Sequence, residues 1–211
     1  MTRASYCAGV ALAGLVVAAT ARGAEAEADA DTRWSGAVTG LYYAMRDQPD
    51  FGVGVASLDR GSLHLEARYN YEARNATSVF AGWKFAGGDT VNVEATPIIG
   101  ALFGAARGVV PGLEASVSWR ALDIYVEAEY VHDLDHSSAS YVYSWTELGW
   151  TPVEWLRVGL AGQHTRTVDT GRDFQRGVFG QIQFGTATFA VYAFNPDSGS
   201  RYIIASLGIR F

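Results

Sequence analysis

One cysteine in 211 residues, Cys7, rules out a disulfide framework within the chain. Proline is scarce, 5 residues against 24 glycines, which leaves long stretches free to pair as strands between tight turns. Lys and Arg total 16 against 22 Asp and Glu, a formal charge of −6. With no basic excess to neutralise phosphates, nucleic acid is excluded as a partner. Past residue 21 no run approaches the length of apolar chain a membrane helix requires, so no transmembrane helix is readable. No cofactor and no metal are expected. Aromatic residues, by contrast, are plentiful: 6 Trp, 11 Tyr and 10 Phe.

The first residues read as an export signal. Arg3 supplies a short positive segment, Ala8 to Ala19 form an apolar run, and Ala19, Thr20 and Ala21 fit the small-x-small cleavage rule. The run is too short to span a bilayer as a helix, which takes about 20 residues. Cys7 lies ahead of it, the wrong place for a lipid anchor, and would leave with the signal. Residues 1–21 are therefore expected to be a signal peptide, 22–32 an acidic, disordered periplasmic leader, and 33–211 one folded domain. Loss of Arg3 would bring the charge to −7.

From Arg33 onward about twelve strand-like segments (10–12) follow one another, beginning near residues 33, 50, 62, 76, 89, 112, 122, 139, 155, 174, 186 and 201. Their connections alternate in length. Residues 59–61, 87–89, 120–123, 151–154 and 185–186 are tight, whereas 46–50, 103–111, 132–138, 168–173 and 195–200 are longer, with a short exception at Asn75. Within the strands the side chains alternate. Leu63, Leu65, Ala67, Tyr69 and Tyr71 oppose His64, Glu66, Arg68, Asn70 and Glu72, and Leu113, Ala115, Val117 and Trp119 oppose Glu114, Ser116, Ser118 and Arg120. Leu122, Ile124, Val126, Ala128 and Tyr130 likewise oppose Asp123, Tyr125, Glu127, Glu129 and Val131.

The last strand runs to an aromatic end, with Ile203, Ala205, Leu207, Ile209 and Phe211 on one parity and Tyr202, Ile204, Ser206, Gly208 and Arg210 on the other. This ending, the export signal and the alternating strands resemble small bacterial outer-membrane β-barrel proteins. The resemblance covers the chain from about Arg33 and is one of class, pointing to no particular family. It implies an all-β, antiparallel, up-and-down transmembrane barrel in the bacterial outer membrane. It further implies that the C-terminal strand with Phe211 is the signal for the barrel-insertion machinery, and that the partners are outer-membrane lipids and lipopolysaccharide. In such a barrel the apolar faces meet lipid. A lipid-facing Lys or Arg costs about 2–4 kcal/mol near the midplane, so reversing the three strands above would be prohibitive. Trp34, Phe85, Trp119, Trp150, Phe184 and Phe211 then form a periplasmic aromatic belt, with Tyr42, Tyr71 and Tyr130 towards the outside. A soluble barrel would bury the apolar faces instead.

The inward faces carry the candidate site: Glu66, Arg68, Glu94, Glu114, Ser116, Tyr125, Glu127, Glu129, Tyr143, Trp145, Glu147 and Arg157. A two-residue turn at Ala121 and Leu122 would set Arg120 beside Asp123, Ser118 beside Tyr125, Ser116 beside Glu127 and Glu114 beside Glu129. Opposed like charges destabilise a sheet, so Glu114 and Glu129 should need a cation, a shared proton or an arginine from across the lumen. One reading is a narrow, cation-preferring channel, or a weak site for a small polar or cationic solute stacking on Tyr125, Tyr143 or Trp145. The other is a closed structural barrel in which the acids pair with Arg68, Lys84, Arg120, Arg157 and Arg210. Small inward residues, Gly159, Ala161 and Gly177, favour space.

An alternative is a lipid hydrolase or lipopolysaccharide deacylase, which would place a Ser nucleophile and a His base on the lipid-facing surface. His164 and Ser144 have outward parity, but the register between their strands is not set by the sequence. Ser62 and His64 face inward at the periplasmic end, and His132 with Ser137 and Ser138 is ordinary loop composition. No catalytic residue is therefore assigned. The loop acids Asp133, Asp135, Asp169, Asp173 and Asp197, with His136, match no calcium-loop spacing. Arg166, Arg172 and Arg176 gather at one outer loop, where bidentate guanidinium groups suit lipopolysaccharide phosphates.

Overall fold

The computed structural model describes residues 33–167 and 171–211, with backbone alone for Gly171 and Arg172. The expected signal peptide (1–21), the leader (22–32) and Asp169 lie outside the described residues.

Strands follow wherever apolar and polar residues alternate: β1 (Ser35–Met45), β2 (Phe51–Arg60), β3 (Leu63–Tyr69), β4 (Ala76–Trp83), β5 (Phe85–Gly87), β6 (Asn92–Gly104), β7 (Gly108–Trp119), β8 (Leu122–Asp133), β9 (Tyr141–Val153), β10 (Leu156–Thr167), β11 (Gly171–Phe184), β12 (Ala187–Phe194) and β13 (Tyr202–Arg210). One 3-10 turn, Ser137–Ala139, sits in the loop after β8. Neighbours in sequence pair antiparallel, and β1 also pairs with β13, Ala37 opposite Arg210, which closes the sheet. β4 and β5 are one strand interrupted at Lys84: Gly82 opposes Ile98 and Phe85 opposes Ala95, so the register runs through the gap unchanged. That register brings Pro97 opposite Trp83, and proline has no N–H to give the ladder. The result is a closed antiparallel barrel of twelve strands.

The even strand number returns both described ends to one mouth, where Gly36 and Phe211 exchange backbone hydrogen bonds at 2.8 and 2.9 Å. Faces sort as the lipid cost requires. Outward residues such as Ile99, Leu160, Val178 and Leu207 are more than half exposed, while inward Arg68, Glu127 and Glu147 are no more than 2% exposed. A soluble barrel would show the reverse. Trp34, Trp119, Trp150 and Phe184 form the belt at the closing mouth, and Tyr42 and Tyr130 stand outward at the far end.

Three expectations are corrected. Tyr71 is not part of the outer belt. The chain turns at Asn70 (φ 64°) and folds residues 70–75 back over the barrel opening, which buries Tyr71 to 1% exposure. The 103–111 loop is shorter than expected, because β6 continues to Gly104 and β7 restarts at Gly108 with Pro111 inside it. The turn between β7 and β8 is Arg120 and Ala121, not Ala121 and Leu122. Trp119 opposes Leu122, so Glu114 opposes Glu127 and Gly112 opposes Glu129. Arg120 takes the left-handed conformation (φ 55°) that this turn demands. Parity survives the two-residue shift, so the inward faces are as expected except at Arg120, which leaves the strand for the turn.

Candidate functional site: the charged and aromatic lumen

Two arginines organise the interior. Arg68, one residue from the end of β3, reaches across the lumen and gathers five carboxylates. Its Nε donates to Glu66, its Nη1 to Glu129 at 2.6 Å, Glu127 at 3.1 Å and Glu72 at 3.4 Å, and its Nη2 to Glu114 at 3.3 Å. The guanidinium stacks on the rings of Tyr71 and Phe80, 4.3 and 4.4 Å from their centroids. The Tyr71 hydroxyl donates to Glu127 at 2.5 Å, and the Ser78 hydroxyl to Glu72 at 2.7 Å. An arginine from across the lumen is thus what reconciles the opposed acids of β7 and β8. One guanidinium cannot neutralise five carboxylates, so protons or entering cations must offset the remaining charge.

Arg157 builds the second node. A bulge in the β9–β10 ladder, where Leu156 opposes Val153 but Val158 opposes Trp150, leaves Arg157 unpaired in register. Its side chain turns inward to Asp123, with Nη2 at 2.5 Å from Oδ2, and to Glu147, with Nη1 at 2.6 Å from Oε2. Trp145 Nε1 and the Tyr192 hydroxyl also donate to Glu147, at 3.1 and 2.8 Å. Lys84 pairs with Asp59 at 2.9 Å. Arg120 does not join the interior pairs; its guanidinium lies over the Trp119 ring.

Opposite the charged wall runs a ladder of rings, of which sequence reasoning singled out Trp145 but not Phe51, Tyr43, Tyr202, Phe194, Tyr192 or Phe179. Phe51 stacks on Tyr43 at 4.6 Å, Tyr43 faces Tyr202 at 6.2 Å, and Tyr202 stacks on Phe194 at 5.0 Å. Phe194 then meets Trp145 at 5.3 Å, Trp145 meets Tyr192 at 5.4 Å, and Tyr192 meets Phe179 at 5.3 Å. Tyr43, Tyr143 and Trp145 have no exposed surface. The available signal was that the outer halves of β12 and β13 are apolar on both parities, with Ala190, Tyr192, Phe194, Tyr202 and Ile204 facing inward, which a water-lined wall would not be. Gly159 and Gly177 do not leave space. A Cβ on Gly159 would meet the Phe179 ring at 2.8 Å, and one on Gly177 the Phe194 ring at 3.0 Å. The glycines make room for rings, not for water. The 70–75 segment covers this layer from outside, where the Tyr141 hydroxyl donates to the Glu72 carbonyl at 2.5 Å and Asn70 Nδ2 to the Gly52 carbonyl at 2.7 Å.

Below the rings the lumen opens. A cavity of about 420 Å³ at the Phe211 mouth is lined by Asp59, His64, Glu66, Glu94, Glu114 and Ser116, among others, and reaches Tyr125 and Glu127 at its inner end. Of the candidate residues, Glu66, Arg68, Glu114, Glu127 and Glu129 come together at the first node, and Trp145, Glu147 and Arg157 at the second. Glu94 and Ser116 line the vestibule. Tyr125 lies beside Glu127 with 3.4 Å between its hydroxyl and the carboxylate, and Tyr143 is buried in the aromatic layer.

On the lipid-facing surface the ladder register places His164 directly opposite Ser144, and the two border a hollow of about 340 Å³ with Leu148, Leu160 and Phe174. Among the described residues the pair's outward cross-strand neighbours are Phe174 on β11 and Ala128 on β8, neither of them an acid that could orient the imidazole. The surrounding backbone N–H groups serve the ladder rather than an oxyanion. Arg166 is exposed at the rim and pairs in register with Arg172. Arg176 is engaged by Asp197 at 2.5 Å, whose carboxyl is held below its ordinary range by its own backbone hydrogen bond and then by that guanidinium. Asp133 accepts from the backbone N–H groups of Asp135 and His136, at 2.8 and 2.6 Å, and so shapes its own loop.

Neither a protein-family profile nor a curated protein matches the sequence. Among solved structures, the KdgM porin superposes with a TM-score of 0.60 at 11% identity, over 83% of this chain and 98% of that one. The KdgM porin in complex with disordered oligogalacturonate gives 0.59 at 10% identity over the same shares. OccAB4 of Acinetobacter baumannii gives 0.46 at 9% identity, over 81% of this chain and 56% of that one. At such identities the likeness is one of fold, that of outer-membrane porins. With an apolar girdle outside and buried charge within, the chain is an integral β-barrel of the bacterial outer membrane.

Proposed function

We propose that this barrel is a porin-type protein held closed at rest, whose acidic vestibule admits cations from the periplasmic side and whose rare openings are cation-selective. The observation that carries the reading is the ring ladder from Phe51 to Phe179, packed without exposed surface at Trp145 above a cavity edged by carboxylates. A continuous water path would have to pass rings that touch one another. The cavity lining is rich in Asp and Glu, with Lys84 and Arg210 among its few cations, and a ring of acids favours cation entry. Oligogalacturonate, present in one of the porin complexes, is a polyanion, and this lining would repel one. We also assign Phe211 and its strand to recognition by the barrel-insertion machinery, and Arg166 and Arg172 to lipopolysaccharide phosphates, with Arg176 available once it leaves Asp197.

Planar bilayers test the reading. Folded wild-type protein should be nearly silent, with small, cation-selective steps. Trp145→Ala, checked for the compact folded form, should give larger and more frequent steps of the same selectivity. Large, steady or anion-selective conductance from the wild type would overturn the closed state and the cation preference respectively.

A further inference from the structure

We propose that the vestibule holds one divalent transition-metal ion, of the kind zinc represents, on His64, Glu66 and Glu114. His64 and Glu66 are two apart on β3 and so share the inward face, while Glu114 comes from β7. A nitrogen of His64 and a carboxylate oxygen of each glutamate lie within 4.8 Å of one another. His64 is only 5% exposed, and its two nitrogens are used unequally. Nδ1 is 2.7 Å from Asp59 Oδ1, whereas Nε2 is buried with no hydrogen-bond partner among the described residues. A buried polar atom left unmatched is unfavourable, and an ion on Nε2 would remove that cost.

The Asp59–His64 contact is the arrangement that orients metal-binding imidazoles: a carboxylate fixes the proton on one nitrogen and presents the lone pair of the other. Asp59 is itself held by Lys84 at 2.9 Å. Glu66 and Glu114 each spend one oxygen on Arg68 and keep the other. One imidazole and two carboxylates suit a zinc-class ion with a water in the fourth position. Calcium would require six or more oxygens. The cavity around these residues opens beside Ser35, Arg210 and Phe211, which provides an entry path. None of this depends on whether the barrel conducts.

Detergent-folded protein stripped by a chelator is titrated with Zn²⁺ against a chromophoric competitor, and with Co²⁺ for its visible ligand-field bands. One ion per barrel is expected, with bands whose intensity reports tetrahedral geometry. Glu114→Gln and His64→Gln should each weaken binding about 10–100-fold, and Asp59→Asn about tenfold. Glu94→Gln, in the same vestibule but outside the ligand set, should leave it unchanged. Absence of stoichiometric binding by folded wild type would overturn the proposal. So would equal losses in Glu94→Gln and Glu114→Gln, which mean diffuse attraction by acids. Should His64→Gln fail to fold, the comparison of those two glutamine variants decides.

Discussion

Around Arg68, where β3 faces β7 and β8, the lumen is filled by charge, and along the ring ladder from Phe51 to Phe179 it is filled by aromatic side chains, so one barrel shows two ways of excluding water. At the ionic wall each group is tolerable only because its partner is present. Arg68 holds carboxylates on β7 and β8 and in the folded-back 70–75 segment together, and among the described residues no other arginine or lysine is paired with that group. At the aromatic wall the energy is spread over many contacts, each ring pair contributing about 0.5–1.5 kcal/mol beyond its burial. The ionic wall is therefore brittle and the aromatic wall tolerant. Specific pairing across the lumen comes from the first, and bulk filling from the second.

Arg68→Met should separate the two most sharply. It removes the counter-charge from buried acids, for which about 3–5 kcal/mol is the usual loss, and it should lower the urea midpoint of the detergent-folded protein by the largest margin. A change below about 1 kcal/mol would show that protons or ions, not Arg68, hold the node. Gly159→Ala tests the aromatic wall by overfilling. Its Cβ would meet the Leu148 carbonyl oxygen at 2.1 Å as well as the Phe179 ring, so a loss of about 1–3 kcal/mol is expected in the same measurement. Tyr143→Phe should do least. The Tyr143 hydroxyl is buried with no hydrogen-bond partner among the described residues, and removing an unmatched polar atom is neutral or stabilising, within about 0.5 kcal/mol. A loss comparable to that of Gly159→Ala would reveal a water or ion bound to that oxygen.

Much of the fold was legible. Alternation in β3, β7 and β8 identified lipid and lumen faces because a single reversed charge costs more than the strand can spare. The turn lengths and the even strand number placed both ends at one mouth. What escaped had local causes with distant outcomes. Arg120 entering the left-handed region moved the β7–β8 register by two residues, and nothing in residues 120–123 announces this. Asn70 doing the same carried Tyr71 from the outside to the lumen. Gly159 and Gly177 looked like room for water, because a glycine does not say which ring from another strand will occupy its place. The unequal nitrogens of His64 were equally invisible, since Asp59 reaches it only through the β2–β3 ladder.

The chain alone determined which side of most strands meets lipid, roughly how many strands there are, and that acids outnumber bases within. These follow from a period of two and from nearest neighbours in sequence. Only the closed barrel decided that Arg68 would meet acids on the far wall, that Phe179 and Phe194 would sit over glycines, and that His64 would be left with one free nitrogen. Each of these depends on which strands face one another across a cylinder, and that is a property of closure rather than of any single strand.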